Sequence, residues 1–301
     1  MDARPRAMAL GNFDGVHLGH LELLRRTVEA AKAQDLVPSV LTFDPHPVHV
    51  LAPQAGLELI TSVNERLQAL ASAGIHDVLV QPFDAEFASL SARAFIREVL
   101  VTAACVQHVT VGYDFGFGHK RSGNVETLMR LSGNSGFSVD AVGAQTTADG
   151  LTISSTRVRS ALLQGHVDEV NDCLGRRYSF AGTVIGGQQR GRHLGFPTAN
   201  LAVEHPPLLA DGVYAVLFDW GAGPRAAVAN LGTNPTFGDP KERSIEVHAL
   251  DETGLQIYDL QCTVWVVKRL RAENTFDTVE ELKAQIQKDC RLAREILGTV
   301  L

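Results

Sequence analysis

The sequence is short of cysteine, of long apolar runs and of clustered positive charge, and each shortage bears on what the protein can be. Its four cysteines, Cys105, Cys173, Cys262 and Cys290, lie far apart and form no C-x-x-C pair. Neither a structural zinc site nor a disulfide scaffold is expected, and scattered thiols fit a reducing compartment. No apolar run approaches the roughly 20 residues of a membrane span. The residues ahead of Gly11 lack the apolar core of a signal peptide, so a cytoplasmic protein with no membrane partner is expected. The formal net charge is −7, with no lysine- or arginine-rich run. The electrostatic footprint of a general nucleic-acid binder is therefore missing, and no nucleic-acid partner is expected. There is no internal repeat and no G-x-x-x-x-G-K-[ST] phosphate loop.

What is present, 301 residues at 45% apolar and 20% charged, suits a globular protein of one large or two ordinary domains. In the first half, strand and helix patterns alternate. Met8-Ala9-Leu10 reads as a strand, Gly11–His20 as a glycine-rich turn and Leu21–Lys32 as a helix. Leu36–Phe43 reads as a buried strand ending in Asp44-Pro45-His46-Pro47, where two prolines fix a non-helical loop. A helix over Asn64–Ala73, with Leu67 and Leu70 at core spacing, precedes a strand at Val78–Val80, a helix at Ala92–Leu100 and a strand at Val106–Val111. Such alternation predicts a parallel sheet covered on both faces, with ligands beyond the carboxyl ends of its strands. The first turn, the Pro45/Pro47 loop and the segment Gly112–Gly123 all fall at that edge.

Near residue 177 the pattern changes to alternating strands, at 178–185, 213–220, 226–230, 244–250 and 255–267. They predict an all-β unit, closed into a barrel because closure removes exposed edges. One helix ends it. Thr278-Val279-Glu280-Glu281 reads as its capping box, and Val279, Leu282, Ile286 and Leu292 as its apolar stripe.

Several stretches carry candidate chemistry. In the first turn, backbone N–H groups and a helix N-terminus suit a phosphate. His17 and His20, three residues apart, project from one face of the first helical turn, and Gly19 lets a bulky ligand approach. Two surface histidines at a helix start are the plain alternative. Gly112–Gly123 offers the rings of Tyr113, Phe115 and Phe117 and the carboxylate of Asp114 on an open loop. Ile153–Arg159 places hydroxyls and two arginines at a helix start, which suits a triphosphate. Ser155 is also a good N-cap, and capping alone would account for it. Gly182–Asn200, with five glycines and two arginines, reads either as an anion-binding loop or as a hairpin connection. Glu246 on its alternating strand reads as a solvated carboxylate.

Taken together these stretches resemble the prokaryotic bifunctional riboflavin kinase/FMN adenylyltransferases, also called FAD synthetases. Gly11–His20 resembles their nucleotide-binding motif, a branch of the H-x-G-H nucleotidylyltransferases. Gly112–Gly118 resembles G-x-[DN]-F-x-F-G, associated with the flavin. Ile153–Arg159 resembles I-S-S-T-x-[IV]-R, which closes on the nucleotide. Gly182–Asn200 resembles the riboflavin kinase signature ending G-R-x-x-G-F-P-T-A-N. Gly232–Phe237 resembles a G-x-x-P-T-F turn, Glu246-Val247-His248 an E-V-H with glutamate as base, and Leu270–Glu273 with Phe276 an L-R-x-E-x-x-F element near the flavin.

The resemblance covers nearly the whole chain and implies a doubly wound, Rossmann-like parallel-sheet nucleotidylyltransferase domain over residues 1–177. A riboflavin kinase barrel with a C-terminal helix follows over 178–301. It implies His17, His20 and Glu246 as catalytic residues. Nucleotide binding falls to Gly11, Asn12, Phe13, Gly19, Ser154, Ser155, Thr156, Arg159, Gly186, Arg190, Gly191, Arg192, Thr198 and Asn200. Flavin binding falls to Pro45, Pro47, Asp114, Phe117, Arg271 and Glu273. Thr198 and Asn200 would serve Mg²⁺ with ATP, and riboflavin, FMN, FAD and ATP would be the ligands. Two rivals remain open: a nucleotidylyltransferase for another acceptor with a silent β-domain, and a non-catalytic flavin-binding protein. Two departures stand out. Tyr258-Asp259 replaces the usual Tyr-Gly, suggesting an altered turn, and the segment before Gly11 is shorter than usual.

Overall fold

Met8-Ala9-Leu10 lies at the centre of a five-stranded parallel sheet. In the computed structural model, residues 4–187, 191, 194–232, 243–252 and 254–300 are described. The strands are β1 (Arg6–Leu10), β2 (Val37–Asp44), β3 (Asp77–Pro82), β4 (Val106–Gly112) and, after a small β5/β6 ribbon (Gly116–Phe117, Gly123–Asn124), β7 (Ser138–Val142). Their order is β3-β2-β1-β4-β7, all parallel. β1 is buried throughout, as a central strand covered on both faces must be. Its side chains alternate between two cores. Met8 and Leu10 pack with Leu41, Val109, Leu100 and Leu128; Ala9 packs with Phe13, Val16, Leu24 and Leu70.

Helices α1 (Leu18–Gln34), α2 (Pro47–Leu51), α3 (Val63–Ser72) and α4 (Val125–Ser135) belong to this unit, together with a helical run at Ala92–Ala94 continued π-wound over Phe95–Ala103. The expected doubly wound architecture is present. β7 and α4 escaped the sequence reading; β7 is short and only partly buried, so it lacks a strong apolar pattern. On α3 the buried residues are Arg66 and Leu70, so an arginine takes the place expected for Leu67.

The second unit begins at Thr156. After α5 (Ser155–Gln164) and α6 (Val167–Leu174) come β8 (Tyr178–Ile185), β9 (Ala199–Ala202), β10 (Gly212–Asp219), β11 (Arg225–Gly232), β12 (Ser244–Ala249), β13 (Gln261–Arg271) and α7 (Val279–Leu297). The strands close into a barrel in the order β10-β11-β12-β9-β8-β13. β10 is buried on both faces, because Val213, Ala215 and Leu217 are covered by Cys290, Ala293 and Leu297 of α7.

Two expectations need correction here. The strand expected from residue 255 starts at Gln261, because the chain turns first. Asp259 adopts a left-handed φ of 64° and its N–H donates to the Val184 carbonyl at 2.8 Å. This is the position where glycine is usual; aspartate tolerates that backbone better than most residues. On α7, Val279 and Leu292 are exposed, at 45% and 38%. The buried face instead carries Asp289, Cys290, Ala293 and Leu297; Leu292 falls outside that helical spacing, and Val279 is the first residue of the helix, a full two turns ahead of the buried run. Thr278 does cap the Glu281 N–H, while the Glu281 carboxylate reaches the N–H of Asp277.

The compact units divide after Ser155, so α5 from Thr156 onward and α6, which precede residue 177, lie with the barrel. Asn171 shows why. Its amide N–H donates to the Val266 carbonyl at 3.3 Å and its oxygen accepts the Tyr178 N–H at 2.8 Å. Val167, Val170 and Leu174 are buried as well. A fragment beginning at residue 178 loses these contacts, two hydrogen bonds worth about 1 kcal/mol each and apolar burial worth roughly 1.5–3 kcal/mol per side chain. It is expected to unfold at clearly lower urea than a fragment beginning at Thr156. Equal midpoints would show that the two helices add nothing.

Candidate functional site

The turn between β1 and α1 is held in a conformation that its own residues resist. Phe13 (φ 54°) and the β-branched Val16 (φ 41°) are left-handed, which costs about 1–3 kcal/mol apiece and persists only where the surroundings impose it. Both are fully buried. The segment leading into α3 supplies the rest. The Asp14 carboxylate, 2% exposed, accepts the Ile60 N–H at 3.0 Å, the Thr61 N–H at 3.1 Å and the Thr61 hydroxyl at 3.3 Å. The Gly15 N–H donates to Thr61 Oγ1 at 3.1 Å. The Asn12 carbonyl accepts Thr42 Oγ1 at 3.0 Å and Arg66 Nη1 at 2.8 Å. Burial pushes the Arg66 guanidinium below its ordinary pKa, with Asp14 and Asp44 pulling it back.

On this turn His17 caps α1: its Nδ1 accepts the His20 N–H at 3.3 Å, which fixes that nitrogen as the acceptor. The two imidazoles stack with centroids 3.7 Å apart and planes 12° from parallel, and the Phe13 ring lies 5.1 Å from His20. A Cβ at Gly19 would sit 3.1 Å from the His17 ring, so glycine leaves room for the stack. The first turn of α1 carries no acidic residue, leaving its N-terminal dipole open to an anion.

Ser155 joins this group differently from what was expected of a cap. It is the first residue of α5, and its hydroxyl donates to the Asp14 carbonyl at 2.9 Å. Ser154 is half-buried beside it; Thr156, exposed, and Arg159, half-buried, follow in the second unit. Pro45 is exposed, and Pro47 opens α2 behind a cap in which His46 Nδ1 accepts the Val48 N–H at 3.2 Å. Asp114 is exposed. Phe117 is 6% exposed and packs in the core against Phe95 and Phe115, so the open ring face in that loop is that of Tyr113, at 57%.

The barrel holds a separate cavity of about 160 Å³, lined by Gly191, Thr198, Glu246, Arg271, Glu273 and Phe276 among others. Thr198 Oγ1 donates to Glu246 Oε2 at 3.1 Å, joining residues from two motifs that are separate in the sequence. Asn200 on β9 pairs with Glu246 on β12, and Gly187 packs so closely on the Asn200 amide that a Cβ would collide with it. A Cβ at Gly191 would run into the Phe196 carbonyl. The Arg271 guanidinium is engaged by Asp289, through Nε at 3.0 Å and Nη2 at 2.9 Å, and lies 5.8 Å from the Phe276 ring centroid. The Glu273 carboxylate accepts Asn230 Nδ2 at 3.4 Å. Gly186 is exposed; Arg190 and Arg192 lie outside the described residues.

Among the described residues no three His, Cys, Asp or Glu side chains gather as a metal cage. A threonine hydroxyl and an asparagine amide beside one carboxylate are hard oxygen donors too few to hold a cation alone. They fit a divalent cation that arrives with phosphate oxygens and keeps its waters.

Sequence reading missed Thr42, Thr61 and Arg66 around the first turn, and Asn230 and Asp289 around the cavity. Arg66 had a signal. It follows the Ser62/Glu65 capping box at the i, i+4 position to Leu70, a charge where an apolar residue belongs.

The profile of the FAD synthetase family matches residues 1–157 and that of the riboflavin kinase family residues 174–297. The bifunctional riboflavin kinase/FMN adenylyltransferase of Escherichia coli K12 is 37% identical over 97% of this chain and 92% of its own length. That of Listeria monocytogenes is 38% identical over 94% and 90%. A crystal structure from Streptococcus pneumoniae, named there as a macrolide-efflux protein, is 32% identical, covers 96% of this chain and 94% of that one, and superposes with a TM-score of 0.87. Among the described residues no helix is long and apolar enough to cross a membrane. With both profiles matched in order and full-length relatives above 30% identity, this chain belongs to the bifunctional riboflavin kinase/FMN adenylyltransferase family.

Proposed function

We propose that the chain makes FAD from riboflavin in two ATP-dependent steps. In the first, the riboflavin 5′-hydroxyl attacks the γ-phosphate of ATP, giving FMN and ADP. In the second, the FMN phosphate attacks the α-phosphate of another ATP, giving FAD and pyrophosphate. The kinase machinery is assigned to residues 178–301 and the adenylyl-transfer machinery to 1–177. The protein would work in the cytoplasm.

One observation carries the kinase assignment: Thr198 and Glu246, 3.1 Å apart, share a cavity with Arg271 and Glu273. Glu246 would take the hydroxyl proton as general base. Thr198 and Asn200 would hold Mg²⁺ with the ATP phosphates, along with Gly186, Arg190, Gly191 and Arg192. The cation, when bound, supplies charge neutralisation on the phosphates. Arg271, fixed by Asp289, and Glu273 would orient the flavin.

In the adenylyl-transfer module no protein nucleophile is required. His17, His20, Ser154, Ser155, Thr156 and Arg159, with the backbone of Gly11–Phe13, would align the triphosphate and neutralise developing charge. Pro45, Pro47 and Asp114 would border the flavin, with Phe117 holding their neighbouring loop from the core.

Two crossed substitutions test the division. Glu246→Gln keeps size and removes basicity, so kinase turnover should fall by about 10²–10⁴-fold while FMN supplied directly is still adenylylated. His20→Ala should abolish FAD formation and leave riboflavin phosphorylation intact. Equal loss of both activities in either folded variant would sink the two-site reading. Gly19→Ala is milder. It pushes the His17 ring by a few tenths of an ångström and should slow adenylyl transfer by about 10-fold or more, as misplaced groups do. Unchanged adenylyl transfer would remove the stack from the mechanism.

A further inference from the structure

Arg66 is buried to 2% exposure in a place where a guanidinium is expensive. Its Nε, also buried, has no hydrogen-bond partner among the described residues. Asp14 and Asp44 act on it only through their charge. Its one described side-chain bond goes to a single atom, the Asn12 carbonyl, at 2.8 Å. Helix packing alone does not call for this: Leu70, one turn on, fills the same face with an apolar side chain.

The Asn12 carbonyl belongs to the peptide that opens the nucleotide turn. Arg66 from α3 and Thr42 from β2 draw it inward together. A trans peptide is planar and sets its C=O and the following N–H on opposite sides. Anchoring the Asn12 oxygen therefore aims the Phe13 N–H away from Arg66 and Thr42. Phe13 is itself left-handed, so the peptide is held against local preference and needs the anchor.

We infer that Arg66 is a positioning residue for adenylyl transfer: by fixing the Asn12 carbonyl it presents the Phe13 N–H to the ATP phosphates. This rests on the proposed adenylyl transfer by the first module. Arg66 touches neither substrate; it acts through the Asn12–Phe13 peptide.

The test uses the full chain and measures kcat and KM for FMN adenylylation, kinase turnover in the same sample and thermal unfolding. Arg66→Met removes the donor and should lower adenylylation kcat by about 10–100-fold, with kinase turnover unchanged. Arg66→Lys, which can still donate to the carbonyl, should regain most of that loss. Thr42→Val removes the other donor with little change in shape and should lower the same kcat by about 2–10-fold.

A folded Arg66→Met protein with wild-type adenylylation kcat would overturn the inference, as would equal impairment of the Lys and Met variants. If Arg66→Met does not fold, Thr42→Val decides, and an unchanged kcat there overturns it. A wild-type chain that makes no FAD from FMN would instead refute the proposed function itself.

Discussion

A buried carboxylate holds the first site in shape. Asp14 accepts two backbone N–H groups and a hydroxyl from Ile60 and Thr61, and the Ser155 hydroxyl binds its main-chain oxygen. Hydrogen bonds to a charged group contribute about 1.5–3 kcal/mol each, enough to offset the left-handed backbone at Phe13 and Val16. Without this clamp, the stacked imidazoles of His17 and His20 would have no fixed platform. The clamp also explains why the turn, the segment leading into α3 and Ser155 form one cluster although they are far apart in sequence.

The barrel meets the same need by other means. Its site lies in the cavity between the barrel wall and α7, with Arg271 on the last strand engaged by the buried Asp289 on the helix. Burial also pushes the Cys290 thiol of the cavity wall above its ordinary pKa, so this sulfur is protonated at neutral pH and behaves as a packing group. Cys290, Ala293 and Leu297 of the same helix pack on Val213, Ala215 and Leu217 of the barrel wall.

Much of this was legible in the sequence because it is local. Strand–turn–helix alternation identified the parallel sheet, strand alternation the barrel, and contiguous motifs the family. What escaped was built by contacts across the chain. Arg66 lies outside every motif and matters only because α3 lies beneath the turn. Asp289 reads as a helix-surface acid until Arg271 is seen against it. Phe117 belongs to a flavin-associated motif, yet its ring packs in the core. The domain boundary was drawn where the pattern changes, whereas compactness follows Asn171, whose two hydrogen bonds tie α6 to the barrel strands.

The central claim is that one chain carries both steps at separate sites. The most direct measurement incubates the purified protein with riboflavin, ATP and Mg²⁺ and follows flavins by chromatography over time. FMN should rise first and FAD follow, and FMN supplied in place of riboflavin should yield FAD without delay. FMN that accumulates without becoming FAD, together with supplied FMN left unchanged, would contradict the claim, as would riboflavin left untouched.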